Sequence, residues 1–309
     1  MEQALDLPEA WQQAAEAVQA EGGIVVILGA SDAGKTTLLK YLAKTLSNRS
    51  LKLAVVDADV GQSTLGPPAT ISAGVLQAQH QEMEKVDPQE MFFVGSTSPA
   101  GYLLEVIVGT NKLVEWTVSL GISHVLVDTT GYIRGEEASR LKFHKINLLR
   151  PRHLLVLQQG RELEPLIQPF TDRKSLQIYR LPVSPMVRSR NQTERKAYRE
   201  KKFRDYFKSA SVKLVSTRGL TLVNQSALGG SFGLTLYGGG FPRYLLVGLN
   251  DAEYRTLALG IVEAFDSQSQ EIFIYTPLQD HTPVRSLTLG SLRVDLNGRE
   301  LDQEQSQEN

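Results

Sequence analysis

Apolar residues recur along the first half of the chain in two alternating patterns. Short unbroken runs, Ile24-Val25-Val26-Ile27-Leu28, Leu53-Ala54-Val55-Val56, His124-Val125-Leu126-Val127 and Leu154-Leu155-Val156-Leu157, mark strands buried on both faces. Between them the apolar positions fall three or four apart, as at Leu39, Leu42 and Leu46, which marks one buried helix face. The pattern predicts helices over 8–21, in the stretch containing Leu39 to Leu46, over 102–120 and over 136–149. Pro8 suits the start of the first helix and Gly22-Gly23 its stop. Residues 71–76 and 91–94 read as shorter strands. Strands alternating with helices predict an α/β fold with a mainly parallel sheet flanked by helices.

The pattern then changes twice. Residues 188–208 hold nine Lys or Arg against three acids, interleaved with Tyr198, Phe203, Tyr206 and Phe207. From about Ser211, short runs alternate with glycines and polar turns: 213–215, 220–223, 234–237, 244–247, 272–275 and 291–294. They predict a small β-rich C-terminal domain, with Gly229-Gly230 and Gly238-Gly239-Gly240 as turns. The expected division is 1–210, with a basic lid around 186–208, then 211–301, then a polar, disordered tail at 302–309.

The first strand runs directly into Gly29-Ala30-Ser31-Asp32-Ala33-Gly34-Lys35-Thr36-Thr37, a G-x-x-x-x-G-K-T phosphate-binding loop. Its glycines let the backbone approach a polyphosphate, and the following helix N-terminus adds fixed positive potential. Lys35 can reach the β- and γ-phosphates, and the Thr36 hydroxyl can ligate Mg²⁺.

Composition narrows the chemistry. The 309 residues contain no cysteine, so thiol catalysis and zinc–cysteine sites are excluded. The five histidines are scattered, which disfavours a histidine metal site. No apolar run approaches the ~20 residues of a membrane span. The N-terminus carries no signal peptide, so the expected compartment is the cytoplasm. With a net charge of −1, any polyanionic partner must be held by a local basic patch.

Two carboxylate groups end strands that should lie beside the phosphate loop: Asp57-Ala58-Asp59-Val60-Gly61-Gln62 and Asp128-Thr129-Thr130-Gly131. Either could serve the metal or the nucleophile in phosphoryl transfer, or merely cap a loop. On an extended chain Asp57 and Asp59 would share a face; a turn there leaves their geometry open. Asp128-Thr129-Thr130-Gly131 also matches the D-x-x-G of GTP-hydrolysing switches. No N-K-x-D segment follows it, which disfavours GTP. In the basic segment, Arg195 and Arg199 stack on one helix face with Arg190 about a turn or so back. Arginine forks suit phosphate oxygens, so this segment reads as a lid, a nucleic-acid contact or a solvated face.

Several strings together resemble the polynucleotide 5'-hydroxyl kinase family. They are Gly29–Thr36, Asp57–Gln62 with Pro67-Pro68 behind, Phe93-Val94-Gly95-Ser96-Thr97-Ser98-Pro99, Thr129-Thr130-Gly131-Tyr132, and the Arg190/Arg195/Arg199 run. The family includes RNA 5'-kinases of pre-mRNA cleavage, tRNA splicing and nucleolar rRNA processing, with shorter archaeal relatives. The resemblance implies a P-loop kinase that moves the ATP γ-phosphate, with Mg²⁺, to the 5'-hydroxyl of RNA or DNA. It implies Lys35 on the phosphates and Thr36 at the metal. It implies Asp59 at the metal and as candidate base, with Asp57 beside it. Gln62, Thr97, Thr130 and Tyr132 would meet the substrate, and Arg190, Arg195 and Arg199 would form the lid. Tyr132 stands where many members carry Trp, and only about 20 residues precede the first strand where eukaryotic members have a long N-terminal domain. The alternative is a nucleotide-binding scaffold or a switch ATPase or GTPase.

Overall fold

Buried strands and one-faced helices alternate as the apolar pattern requires. The computed structural model describes residues 8–47, 51–76, 86–184, 187, 189–224 and 241–301. The strand expected at 234–237, the glycine turns at 229–230 and 238–240, Arg188 and the tail at 302–309 lie outside the described residues.

In chain order the first elements are α1 (Glu9–Glu21), β1 (Gly23–Gly29), α2 (Lys35–Ser47), β2 (Leu53–Ala58) and β3 (Thr70–Leu76). Next come β4 (Glu90–Phe93), α3 (Leu103–Ser119), β5 (His124–Thr129), α4 (Glu136–Leu149), β6 (His153–Gln158), α5 (Glu164–Ile167) and β7 (Gln177–Pro182). They are followed by α6 (Gln192–Tyr206), β8 (Ser211–Ser216), β9 (Thr221–Asn224), β10 (Leu245–Asn250) and β11 (Thr256–Asp266). The last are β12 (Glu271–Thr276), β13 (Ser286–Val294) and β14 (Glu300–Leu301).

The chain forms two units that interleave along the sequence. The first comprises 1–59, 72–89 and 103–190; the second comprises 60–71, 90–102 and 191–309. The basic segment from Asn191 onward is therefore part of the second unit, and Arg190 closes the first.

In the first unit the strands run in the order β3-β2-β5-β1-β6-β7. All these pairings are parallel except β2 with β3. β2, β5 and β6 are buried at every residue, which explains their unbroken apolar runs. α2 buries Leu38, Leu39, Leu42 and Leu46 completely, each stabilising by roughly 1.5–3 kcal/mol. α1 covers the sheet with Trp11, whose indole N–H donates to the Pro182 carbonyl at 3.1 Å. β7 lacks an unbroken apolar run, and five of its six residues are exposed or partly exposed at a sheet edge, so apolar periodicity does not mark it.

The second unit holds a sheet in the order β14-β13-β10-β11-β12-β8, with β9 paired to β13. β11 was not anticipated, because Gly260 and two alanines dilute its β-forming residues. Packing requires that glycine: a Cβ there would overlap Ile274. α6 is overwhelmingly polar and starts on a capping box, in which Asn191 and Glu194 each accept the other's backbone N–H at 2.9 Å. Its anchor is Phe203, fully buried with Phe93, Phe207, Leu246, Leu259 and Ile261. The Tyr206 hydroxyl accepts the Leu259 N–H at 2.9 Å, and burial pushes its pKa up to about 12.

Leu42 fills the space between α2 and the sheet with no exposure. Leu42→Ala is expected to destabilise the first unit by about 2–5 kcal/mol, read as a fall in the denaturation midpoint of that unit's transition.

Candidate active site

Parallel pairing brings the ends of three strands together. β1 lies between β5 and β6, and β5 pairs on its other side with β2. Asp57 and Asp128 are register partners, so two carboxylates sit side by side at the carboxyl ends of their strands. That edge is where an open α/β sheet receives its ligand.

The phosphate loop leaves β1 with Asp32 at φ 58° and Gly34 at φ 88°, backbone conformations that turn successive N–H groups toward an anion. Lys35, almost fully buried, donates from Nζ to the Ala30 carbonyl at 2.8 Å. The Asp32 carboxylate accepts the Arg190 backbone N–H at 3.1 Å and the Ser189 hydroxyl at 3.3 Å. The first of the expected lid arginines is thus tethered to the phosphate loop within one unit.

The two acidic strand ends do different work. β2 stops at Ala58 and the chain turns, so the Asp57 carboxylate accepts the Asp59 N–H at 3.0 Å and is itself buried. The open question of the Asp57/Asp59 geometry is resolved in favour of a turn. Asp128 accepts the Thr36 hydroxyl at 2.9 Å and, through its other oxygen, the Thr129 N–H at 2.9 Å. Burial raises the Asp128 pKa to about 6; the Lys35 ammonium opposes that and the Asp59 carboxylate adds to it. The family resemblance places Asp59 and Thr36, not Asp128, at the metal; the bond to Thr36 makes Asp128 the carboxylate that faces the loop threonine.

The loop after β5 is held on three sides. The Thr129 hydroxyl donates to the Ile27 carbonyl of β1 at 2.7 Å. A Cβ on Gly131 would overlap the backbone nitrogen of Ser31, so only glycine permits this approach to the phosphate loop. From α4, Lys142 Nζ donates to the Thr130 carbonyl at 2.7 Å and to the Thr129 and Thr130 hydroxyls at 3.1 and 3.4 Å. Lys142 and Lys145 are both fully buried. Burial drives the Lys142 pKa well below the usual lysine value, with the Lys145 and Lys35 charges acting in the same direction. Burial brings Lys145 down to about 7 against the pull of Asp59 and Asp128. Neither lysine was singled out from the sequence. The available signal was their spacing with Ala138, Leu141, Ile146 and Leu149, which places two cations on an apolar helix face.

The remaining candidates fall as follows. Tyr132 is half-buried in the same unit and donates its hydroxyl to Glu137 at 3.1 Å. Gln62, Thr97, Arg195 and Arg199 belong to the second unit. There the Gln62 amide donates to the Gly61 carbonyl at 2.8 Å, and Thr97 is half-buried in the loop after Gly95. Arg199 lies in a bidentate pair with Glu300 at 2.5 and 2.8 Å.

Among the described residues no three acidic or imidazole groups form a ready metal cluster. A hydroxyl and a carboxylate bonded to each other beside a phosphate loop nevertheless fit Mg²⁺. That ion takes hard oxygen donors, few of them from protein and the rest from phosphate and water.

Residues 29–209 match the family described as mRNA cleavage and polyadenylation factor CLP1 P-loop. A polyribonucleotide 5'-hydroxyl-kinase of Methanocaldococcus jannaschii is 30% identical, covering 90% of this chain and 88% of its own. One of Pyrococcus furiosus is 32% identical, covering 90% and 89%. A chain in the solved wild-type Clp1p–Pcf11p complex shares the fold at TM-score 0.70 and 17% identity, covering 92% of this chain and 79% of that one. No helix among the described residues is long and apolar enough to cross a membrane.

Two substitutions test the site. Asp128 has a folded pKa above its unfolded value, so its favourable contribution is present below about pH 4 and lost as pH rises through about 6. The stability of Asp128→Asn relative to the parent is therefore expected to be greater at pH 7–8 than near pH 4, read in paired denaturation curves. Gly131→Ala is expected to weaken nucleotide affinity at least tenfold by displacing Ser31, read by equilibrium binding of a fluorescent ATP analogue.

Proposed function

The chain belongs to the CLP1 P-loop family, and from that premise we propose that it is an ATP-dependent kinase acting on the 5'-hydroxyl ends of RNA or DNA. The observation that carries this reading is the Thr36–Asp128 hydrogen bond beside a buried Lys35, with Asp59 in the turn that follows the adjoining strand β2. The names of the archaeal relatives support the choice of acceptor.

In this reading Lys35 exchanges the Ala30 carbonyl for β- and γ-phosphate oxygens, while the backbone N–H groups of 30–35 hold the chain of phosphates. Thr36 and Asp128 hold the cation side, with Asp59 contributing and Asp57 keeping its turn. Mg²⁺, when bound, neutralises phosphate charge. The 5'-oxygen forms a bond to the γ-phosphorus as the bond to the β–γ bridging oxygen breaks and ADP leaves. The hydroxyl proton passes to the Asp59 carboxylate. Arg190, Arg195 and Arg199 carry the role of stabilising the transferring group, and Gln62, Thr97, Thr130 and Tyr132 that of positioning the polynucleotide end.

Incubation with γ-labelled ATP and 5'-hydroxyl RNA and DNA oligonucleotides is expected to label the oligonucleotide. Lys35→Ala is expected to abolish this by at least about 100-fold while the melting temperature changes little. Release of free phosphate alone would favour a switch ATPase or GTPase, and bound nucleotide with neither product would favour a scaffold.

Arg199 can be separated from its ion pair. If its role is in transfer, Arg199→Ala lowers kcat by at least about tenfold whereas Glu300→Gln leaves kcat near that of the parent. Equal effects from the two substitutions would reduce Arg199 to a structural partner of Glu300.

A further inference from the structure

Lys142 has no exposure to solvent, yet no carboxylate accepts from its ammonium among the described hydrogen bonds. Its acceptors are three uncharged oxygens, all on Thr129 and Thr130. Burying an ammonium costs several kcal/mol, and an unbranched apolar side chain would fill the same space without that cost. Side chains on a helix lean toward its N-terminus, so a lysine on α4 extends toward the loop that precedes the helix. That loop follows Asp128, near the end of β5, and carries Gly131 against Ser31.

We propose that Lys142 is a positioning residue for phosphoryl transfer: it clamps Thr129 and Thr130 so that Asp128 stays on Thr36 and Gly131 stays against the phosphate loop. This rests on the kinase reading for its effect on rate, but not for its effect on the loop. Among the described hydrogen bonds Lys142 reaches only Thr129 and Thr130, so it acts through the 129–130 backbone and hydroxyls. Thr129 transmits the clamp to β1, because its hydroxyl accepts from Lys142 while donating to Ile27. Lys145, one turn along the same face, is equally buried but has no hydrogen-bond partner among the described residues. It supplies the control for removing a buried lysine without removing the clamp.

Lys142→Met and Lys145→Met are compared with the parent. Lys142→Met is expected to remain folded, to lower kcat about 100-fold, and to leave the affinity for a fluorescent ATP analogue within about threefold. Amide hydrogen exchange is expected to quicken at 129–131 and in the phosphate loop only. Lys145→Met is expected to match the parent in exchange at 129–131 and in the phosphate loop. If Lys142→Met does not fold, Thr129→Val, which removes one acceptor at constant shape, is expected to show the same local exchange and a smaller kcat loss. Parental kcat and parental exchange in the folded variant would overturn the proposal, as would a loss that cooling restores in step with stability. An inactive parent would sink the kinase reading instead, and the exchange measurement would still decide the role of Lys142.

Discussion

The hydrogen bond between Thr36 and Asp128 is the contact on which the site depends, because it joins two segments 92 residues apart. It requires β5 to lie beside β1 in parallel, so that both strands end at the same edge. It also requires the loop after β5 to come as close to the phosphate loop as backbone allows, which only Gly131 permits. Thr129 and Lys142 hold that approach from the strand side and the helix side. The phosphate loop is thus not a freestanding turn but one wall of a packed arrangement.

That arrangement sorts charges. Asp57 and Asp128 are register partners on neighbouring strands, and two like charges there would repel. The turn at Asp59 gives Asp57 a backbone donor, while Asp128 takes a hydroxyl donor and a backbone donor. Lys35 brings positive charge nearby, and burial pushes the neighbouring Lys142 and Lys145 toward their neutral forms. A site of this kind holds its carboxylates in fixed orientations before any phosphate arrives, which is the condition for electrostatic stabilisation without reorganisation.

The second unit shows how a polar segment becomes ordered. α6 has little apolar surface, and its start is set by the Asn191–Glu194 capping box. Phe203 anchors it in a core shared with Phe93 and three strand residues of β10 and β11. Its arginines are therefore presented from a helix fixed at one end and along one line, with Arg199 engaged by Glu300.

Local signals were sufficient for the phosphate loop, for β1, β2, β5 and β6, and for the helices that flank them. Uninterrupted apolar runs and three-to-four spacing depend only on which residues must leave water. Edge strand β7 and glycine-containing β11 escaped, because their identity comes from neighbours rather than from their own side chains. The site divided in the same way. Lys35 and Thr36 follow from a contiguous motif whose geometry is set by short-range backbone sterics. The pairing of Thr36 with Asp128, the turn that commits Asp57 to Asp59, and the burial of Lys142 required strand order. Sequence determines which side chains can do the chemistry; only the tertiary fold decides which of them meet, because hydrogen bonds between distant segments depend on how the strands are arranged.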